Sequence, residues 1–404
     1  MDRTRKKLRI TNSELSSFRS CRQRWWFAYH ELLRPRATPR PLSTGDCIHA
    51  GLAAAYRLAL SRQETGGTAS SDEYVASAMS GLDLKLKGYM LEAYELVGQA
   101  TTADEVDRVI EESTAISTDA RSSVSRFVQR FVAEDARQYS MVAVECPFTV
   151  RLRDAGGRAR PRIAFSGVMD LVVYDPVVGD YVLVEHKSTA GDATAAESKL
   201  DMDPQTTGYV YALREMIASA GFSGRLTPQS APVGRVLYNV VRKSPPSTPK
   251  VNLDGTVSVA AIDTTRDAYQ AALDAQGEPE WYAKNPTKQA ERWRELQEKQ
   301  RMRLEGLPQS ESRWLCRHET YHGAASVERW RREALAEAGL IRAGLRGDLA
   351  VTRNPSQCNM PWSPRCPYRS VCIEDGPEMR RELRVVSDPH AEVVEAELAQ
   401  EESL

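Results

Sequence analysis

The stretch FSGVMDLVVYDPVVGDYVLVEHKST, residues 165–189, decides the fold. Its two apolar, β-branched runs read as strands, and Pro176 and Gly179 between them mark Asp175–Asp180 as a hairpin turn. A turn that pairs Asp175 with Asp180 sets an antiparallel register in which Asp170 stands directly opposite Glu185. Such neighbours have Cβ atoms about 4.5–5.5 Å apart. Lys187, two residues beyond Glu185, shares their face by the strand period. Val172 and Leu183 on one side, and Leu171, Val173, Val182 and Val184 on the other, make both faces apolar. The hairpin is therefore expected inside a sheet that is covered on both sides. Two adjacent carboxylates in such surroundings repel unless a proton or a cation intervenes. The residue types fit two arrangements. One is a polar cluster at a solvated sheet end. The other is a site for Mg²⁺ or Mn²⁺, with a substrate phosphate completing the oxygen shell and Lys187 orienting water or neutralising phosphate charge.

Outward from the hairpin, Met141–Val150, Ile163–Tyr174, Asp180–Lys187 and Gly234–Val241 read as strands, the last ended by Pro245, Pro246 and Pro249. Thr11 and Glu14 form a capping-box pattern that opens a helix running to about His30. A basic, Pro-rich loop follows, then a helix from about Thr44 to Leu60, a Gly/Ser-rich loop, and a helical region over residues 73–138. Asp203 and Pro204 read as the N-cap and first turn of another helix. Residues 263–345 are charged and favour helix.

The chain has 404 residues, 41% hydrophobic and 27% charged, which excludes fibrous and wholly disordered classes. It carries no run of the length a membrane span needs and no apolar core behind its basic start, so a secretory signal and a membrane partner are not expected. The expected location is cytoplasmic. The net charge of −1 hides a segregation: residues 1–40 hold eleven Lys or Arg against three acids, whereas residues 385–404 hold six acids and neither cation. A basic end binds a polyanion locally even on a near-neutral chain. Seven cysteines, three of them at 358, 366 and 372, argue for a metal rather than a disulfide framework. Three thiolates need a fourth ligand, and thiolates alone do not separate structural Zn²⁺ from an iron–sulfur cluster. Arg22, Arg24, Trp25 and Trp26 interleave charge and aromatic surface, as in a single-strand stacking platform or, equally, a core helix with a solvated Arg face. His49 lies beside Leu52, Ala53 and Tyr56 at helical spacing, as a structural histidine or a ligand.

The order Gly167-x-x-Asp170, then Glu185-x-Lys187, resembles the nuclease core of the PD-(D/E)xK superfamily, and is most similar to its RecB-like exonuclease branch. Three further marks of that branch stand in order: Gly45-x-x-x-His49, Gln205-x-x-x-Tyr209, and one cysteine upstream (Cys21) with three downstream (Cys358, Cys366, Cys372). The resemblance covers most of residues 11–373 and extends to CRISPR-associated RecB-like exonucleases, their phage-encoded relatives and the AddB nuclease domain. Met169 replaces the Pro of the superfamily's name without loss of a ligand, and Asn359–Arg365 is longer than the usual first gap between the downstream cysteines.

The resemblance implies an α/β, restriction-endonuclease-like fold: a mixed central sheet flanked by helices, with helical elaborations and a four-cysteine clasp. It implies metal ligation by His49, Asp170, Glu185 and the backbone carbonyl of His186. Lys187, Gln205 and Tyr209 join Asp170 and Glu185 as catalytic residues, and Cys21, Cys358, Cys366 and Cys372 hold a [4Fe–4S] cluster, with Zn²⁺ the alternative. The activity implied is metal-dependent exonucleolytic hydrolysis of single-stranded DNA or DNA ends in recombination, repair or phage DNA metabolism, with recombination or CRISPR adaptation proteins as partners. A non-catalytic zinc- or cluster-bearing DNA-binding partner, or a structure-specific endonuclease, are the alternatives. The expected organisation is a flexible basic arm (residues 1–10), a nuclease domain (11–373, with its core about 44–241, a helical elaboration about 243–345 and a cysteine segment 353–373) and a flexible acidic tail (374–404).

Overall fold

Alternating apolar residues organise most of the strands of this computed structural model into one mixed sheet; the structure describes residues 8–36, 40–97, 103–154, 156–219, 231–308, 311–358, 366–381 and 383–402. The strands are β1 (Leu8–Ile10), β2 (Leu33–Pro35), β3 (Ser140–Arg153), β4 (Ala159–Asp175), β5 (Asp180–Thr189), β6 (Val233–Arg242), β7 (Leu315–Tyr321) and β8 (Leu383–Val385). The sheet runs β1-β4-β5-β6-β7, with β3 along the other side of β4; β2 and β8 form a separate pair. β4 and β5 are antiparallel, β5 and β6 parallel, and β6 and β7 antiparallel.

The hairpin register is the one its turn implies, from Asp175 opposite Asp180 to Leu171 opposite Val184. The ladder stops there. β1 lies parallel to the first half of β4, beside Ile163–Phe165, on the side that β5 takes further along. Ser166–Asp170 therefore have β3 on one side and, among the described residues, no strand on the other. This splay opens the sheet at Asp170.

Helices cover both faces. Seven organise the cover: α1 (Asn12–Ser20), α2 (Arg40–Glu64), α3 (Ser71–Val97), α4 (Ala103–Phe127), α5 (Pro204–Ala218), α6 (Ala324–Arg346) and α7 (Ala391–Glu402). Val172, Leu183, Val236 and Tyr238 pack with α5 and α6 through Val210, Leu213, Trp330 and Ala334. On the opposite face Leu171, Val173, Val182 and Val184 meet Leu52 and Tyr56 of α2, Ala78 of α3 and Val124 of α4. Period-two strands against period-3.6 helices account for both interfaces. At Gly208 the backbone of α5 comes so close to α6 that a Cβ would lie 2.5 Å from the Trp330 ring. At Gly167 a Cβ would meet Phe148 at 2.9 Å and Tyr209 at 3.1 Å.

Four expectations are corrected. The arm over residues 1–10 is not free throughout: Leu8 and Ile10 are buried as β1, while residues 1–7 lie outside the described residues. The first helix does not continue to His30 but breaks at Cys21, whose φ of −162° is extended; a short helix, Arg22–Trp25, and a π-helical turn, Trp26–His30, follow. Half of its capping box forms, with Thr11 Oγ1 accepting from Glu14 N at 3.2 Å, because the Glu14 side chain turns inward to accept from Trp25 Nε1 at 3.0 Å. The segment read as a helical elaboration also supplies the edge strand β7, whose sequence LCRHETY is too polar to look like one. The tail is not loose over its described part. β8 pairs with β2, and His390 is buried 3.0 Å from Glu14. No helix among the described residues is long and apolar enough to cross a membrane.

Candidate active site

Asp170, Glu185 and Lys187 lie on the sheet face that α5 covers, at the splay between β4 and β5. Asp170 does not pair squarely with Glu185, because the ladder has already ended; its Oδ2 instead accepts from the backbone N of His186 at 2.7 Å. Lys187 Nζ lies 2.9 Å from Glu185 Oε1 and 3.3 Å from Asp203 Oδ2, and donates to Gln205 Oε1 at 2.7 Å. Gln205 Nε2 donates to Glu185 Oε1 at 2.8 Å and to the Tyr209 hydroxyl at 3.2 Å. One amide thus joins the acid, the ammonium and the tyrosine. The helix that carries it starts where it does because Asp203 accepts from Gln205 N at 2.9 Å, followed by Pro204.

His49 comes from α2, and its Nδ1 is 3.6 Å from Asp170 Oδ2. The His186 side chain points to the opposite face, stacked on Tyr56 with ring centroids 5.6 Å apart and with Nδ1 3.3 Å from Asn239 Nδ2. Burial drives His186 down to about 4, so that ring is neutral.

Sequence reasoning missed Glu145 of β3, which reaches the same cleft at a left-handed φ of 49°. Such a conformation is uncommon for a residue with a Cβ, and only the acid within the apolar run MVAVECPF signalled it. The cleft has a volume of about 960 Å³. Arg57 and Lys85 line it, and so do Glu392 and Glu395 of α7.

Charge is concentrated here. Burial and the neighbouring Asp170 carboxylate push Glu185 up to about 7, and the same two causes push Glu145 up to about 7. Burial would raise Asp170 too, but His49 and the contacts of His186 hold it at about 2. Burial acts against His49, yet Asp170 outweighs it and lifts the imidazole to about 9. Burial likewise opposes the charge on Lys187, and Glu185 and Asp203 hold it above its ordinary value.

A hard divalent cation fits these residues. Glu185 Oε2 is buried without a hydrogen-bond partner, an acceptor prepared for a ligand beside a second carboxylate. Among the described residues no three of His, Cys, Asp or Glu already form a metal-holding group. Two carboxylates without a full cage suit Mg²⁺ or Mn²⁺, which retain waters and take phosphate oxygens.

The four cysteines of the expected clasp, Cys21, Cys358, Cys366 and Cys372, are free, half-buried thiols, and no closed metal-holding group forms among the described residues. They do share one region: burial raises the thiols of Cys366 and Cys372, and Cys358 and Cys21 raise both further. Hydrogen bonds join the two parts of the chain, from Gln23 N to Thr352 O at 3.1 Å, Asn354 Nδ2 to Ser20 O at 2.8 Å and Asn354 N to Cys21 Sγ at 3.4 Å. Residues 359–365 lie outside the described residues. Trp25 is fully buried, so no base stacks on it; Trp26 is half-buried, donates to Glu31 at 3.0 Å and lies against His30. The Arg22 guanidinium lies over Phe18.

A mixed sheet that carries two acids and a lysine at a splayed hairpin, between helical layers, defines a site suited to cation-assisted chemistry on an anionic substrate. Residues 9–373 match the PD-(D/E)XK nuclease superfamily, and the chain belongs to it. Members of this superfamily are generally nucleases that use Mg²⁺ or Mn²⁺. No curated protein matches the chain.

Proposed function

We propose that the protein is a metal-dependent DNA exonuclease that hydrolyses phosphodiester bonds in single-stranded DNA or at DNA ends. The observation that carries this reading is the unpartnered, buried Oε2 of Glu185, held beside Asp170 and Lys187 in an open cleft. Asp170, Glu185, His49 and the His186 carbonyl are the groups that would hold the cation, which supplies Lewis-acid stabilisation of phosphate charge when bound. Lys187 stays protonated beside the phosphate and balances the charge that develops there. Gln205 holds Lys187 and Glu185 in register, and Tyr209 braces Gln205. For the four cysteines, the RecB-like arrangement supports a [4Fe–4S] cluster that joins the two parts of the chain. A colourless anaerobic preparation with stoichiometric zinc would replace iron with zinc in that role.

Digestion of end-labelled single- and double-stranded DNA with Mg²⁺ or Mn²⁺ tests the activity. The expected result is loss of label from ends, absent with a chelator. Asp170→Ala and Glu185→Ala should each reduce it by about a hundredfold or more with the melting transition retained. Full activity in either variant would refute the site, and internal nicks with no dependence on ends would favour the endonuclease alternative.

A further inference from the structure

Helix α7 places negative charge where a nuclease needs to receive a polyanion. Glu392 and Glu395 line the cleft that holds Glu145, Asp170 and Glu185. Desolvation at the cleft raises the Glu392 carboxyl, His390 and Arg34 act against the rise, and Glu395 adds to it. The helix belongs to an end of the chain, residues 385–404, with six acids and no Lys or Arg. A phosphodiester backbone and this acidic face carry the same sign of charge and compete for the same volume, and their overlap is costly in a partly desolvated cleft.

The helix is held in a way that permits release. Its contact with β3 and β4 buries Val393 but leaves Leu398 half-exposed. Glu397 accepts from Thr149 Oγ1 at 2.9 Å and lies 3.5 Å from Arg9, a half-buried ion pair that salt screens in part. The firm anchor is one turn earlier, where His390 is buried against Glu14 and Arg34 donates to Pro389 O at 3.1 Å. Little buried apolar area beyond a fixed hinge is the pattern of an element that opens locally.

We propose that α7 is an autoinhibitory strap: an acidic helix lying across the DNA path over Asp170 and Glu185, which the phosphodiester backbone displaces on binding. The proposal rests on the nuclease reading for the identity of the displaced ligand.

Binding of a fluorescein-labelled single-stranded oligonucleotide, measured by anisotropy without divalent cation, tests it independently of cleavage. The proteins compared are the full chain, the Glu392→Gln/Glu395→Gln variant, and a chain ending at His390. Both altered chains should bind about tenfold or more tightly at low salt, and the gap for the charge variant should narrow as salt rises. A synthetic peptide of residues 387–404 should weaken binding by the shortened chain. Unchanged or weaker binding by the charge variant, with its melting transition intact, overturns the strap, whether or not the shortened chain folds. If binding tightens but no form cleaves DNA with Mg²⁺ or Mn²⁺, the strap stands and the nuclease reading falls. If the full chain cleaves and the charge variant binds and cleaves no better, the reverse holds.

Discussion

Gln205 is the residue through which the lysine and the glutamate of the site keep their distance from one another. It accepts from Lys187 and donates to Glu185, while Lys187 retains Asp203 and Glu185 without it. Gln205→Ala should therefore lower cleavage by about 10–100-fold, with little change in the melting temperature; rates at saturating DNA check this. A loss of folding instead would make Gln205 a core residue. The shared face of Asp170, Glu185 and Lys187 was legible because a strand repeats every two residues, but the square pairing of Asp170 with Glu185 that the turn register predicts is not formed, since the ladder ends at Leu171. Glu145 was not, because its contribution depends on a left-handed backbone within a strand, which no periodicity encodes. The burial of Trp25 was equally hidden: its indole N–H finds Glu14, and the sequence alone gives no sign that this acid turns inward.

At the scale of elements, the hairpin turn makes a sharp prediction. Asp175 Oδ1 accepts from Val177 N and Val178 N, closing the turn, and its Oδ2 lies 2.9 Å from Arg235 Nη1. Burial would raise this carboxyl, but Arg235 and the two amides outweigh it and hold it below its ordinary value. The stabilisation is thus present at neutral pH and is lost as pH falls from about 4 through the lower folded value. Asp175→Asn should cost about 1–3 kcal/mol at pH 7, and the difference from the unaltered chain should shrink in denaturant titrations near pH 3. A penalty that grows on acidification contradicts this assignment. Packing predicts a second effect. Gly208→Ala drives a methyl group into Trp330 and should destabilise by about 1–3 kcal/mol, seen as a lower unfolding midpoint; an unchanged midpoint would mean that α5 and α6 separate freely. The strands of the hairpin and β6 were readable because their apolar runs are long. β7 was not, because an edge strand with Arg317, His318 and Glu319 satisfies one neighbour only and carries no apolar stripe.

Over the whole molecule, the sequence disclosed the central architecture better than the ends. Both faces of the hairpin are apolar, and both are covered by helices, as that pattern requires. The ends carry charge segregation that reads as flexibility, yet β1 completes the sheet beside β4 and α7 closes over the cleft. Leu8 and Ile10 are the buried side chains of β1, and Val393 is that of the described part of α7, too few to stand out from a charged background. The chemistry of the chain is concentrated at the opening those ends frame. We propose that Asp170 and Glu185 together hold a hard cation there. Calorimetric titration of Mn²⁺ into the unaltered chain, Asp170→Asn and Glu185→Gln tests this most directly. Saturable binding that is lost, or weakened at least about tenfold, in both variants is the result expected; the same affinity in all three proteins would contradict it.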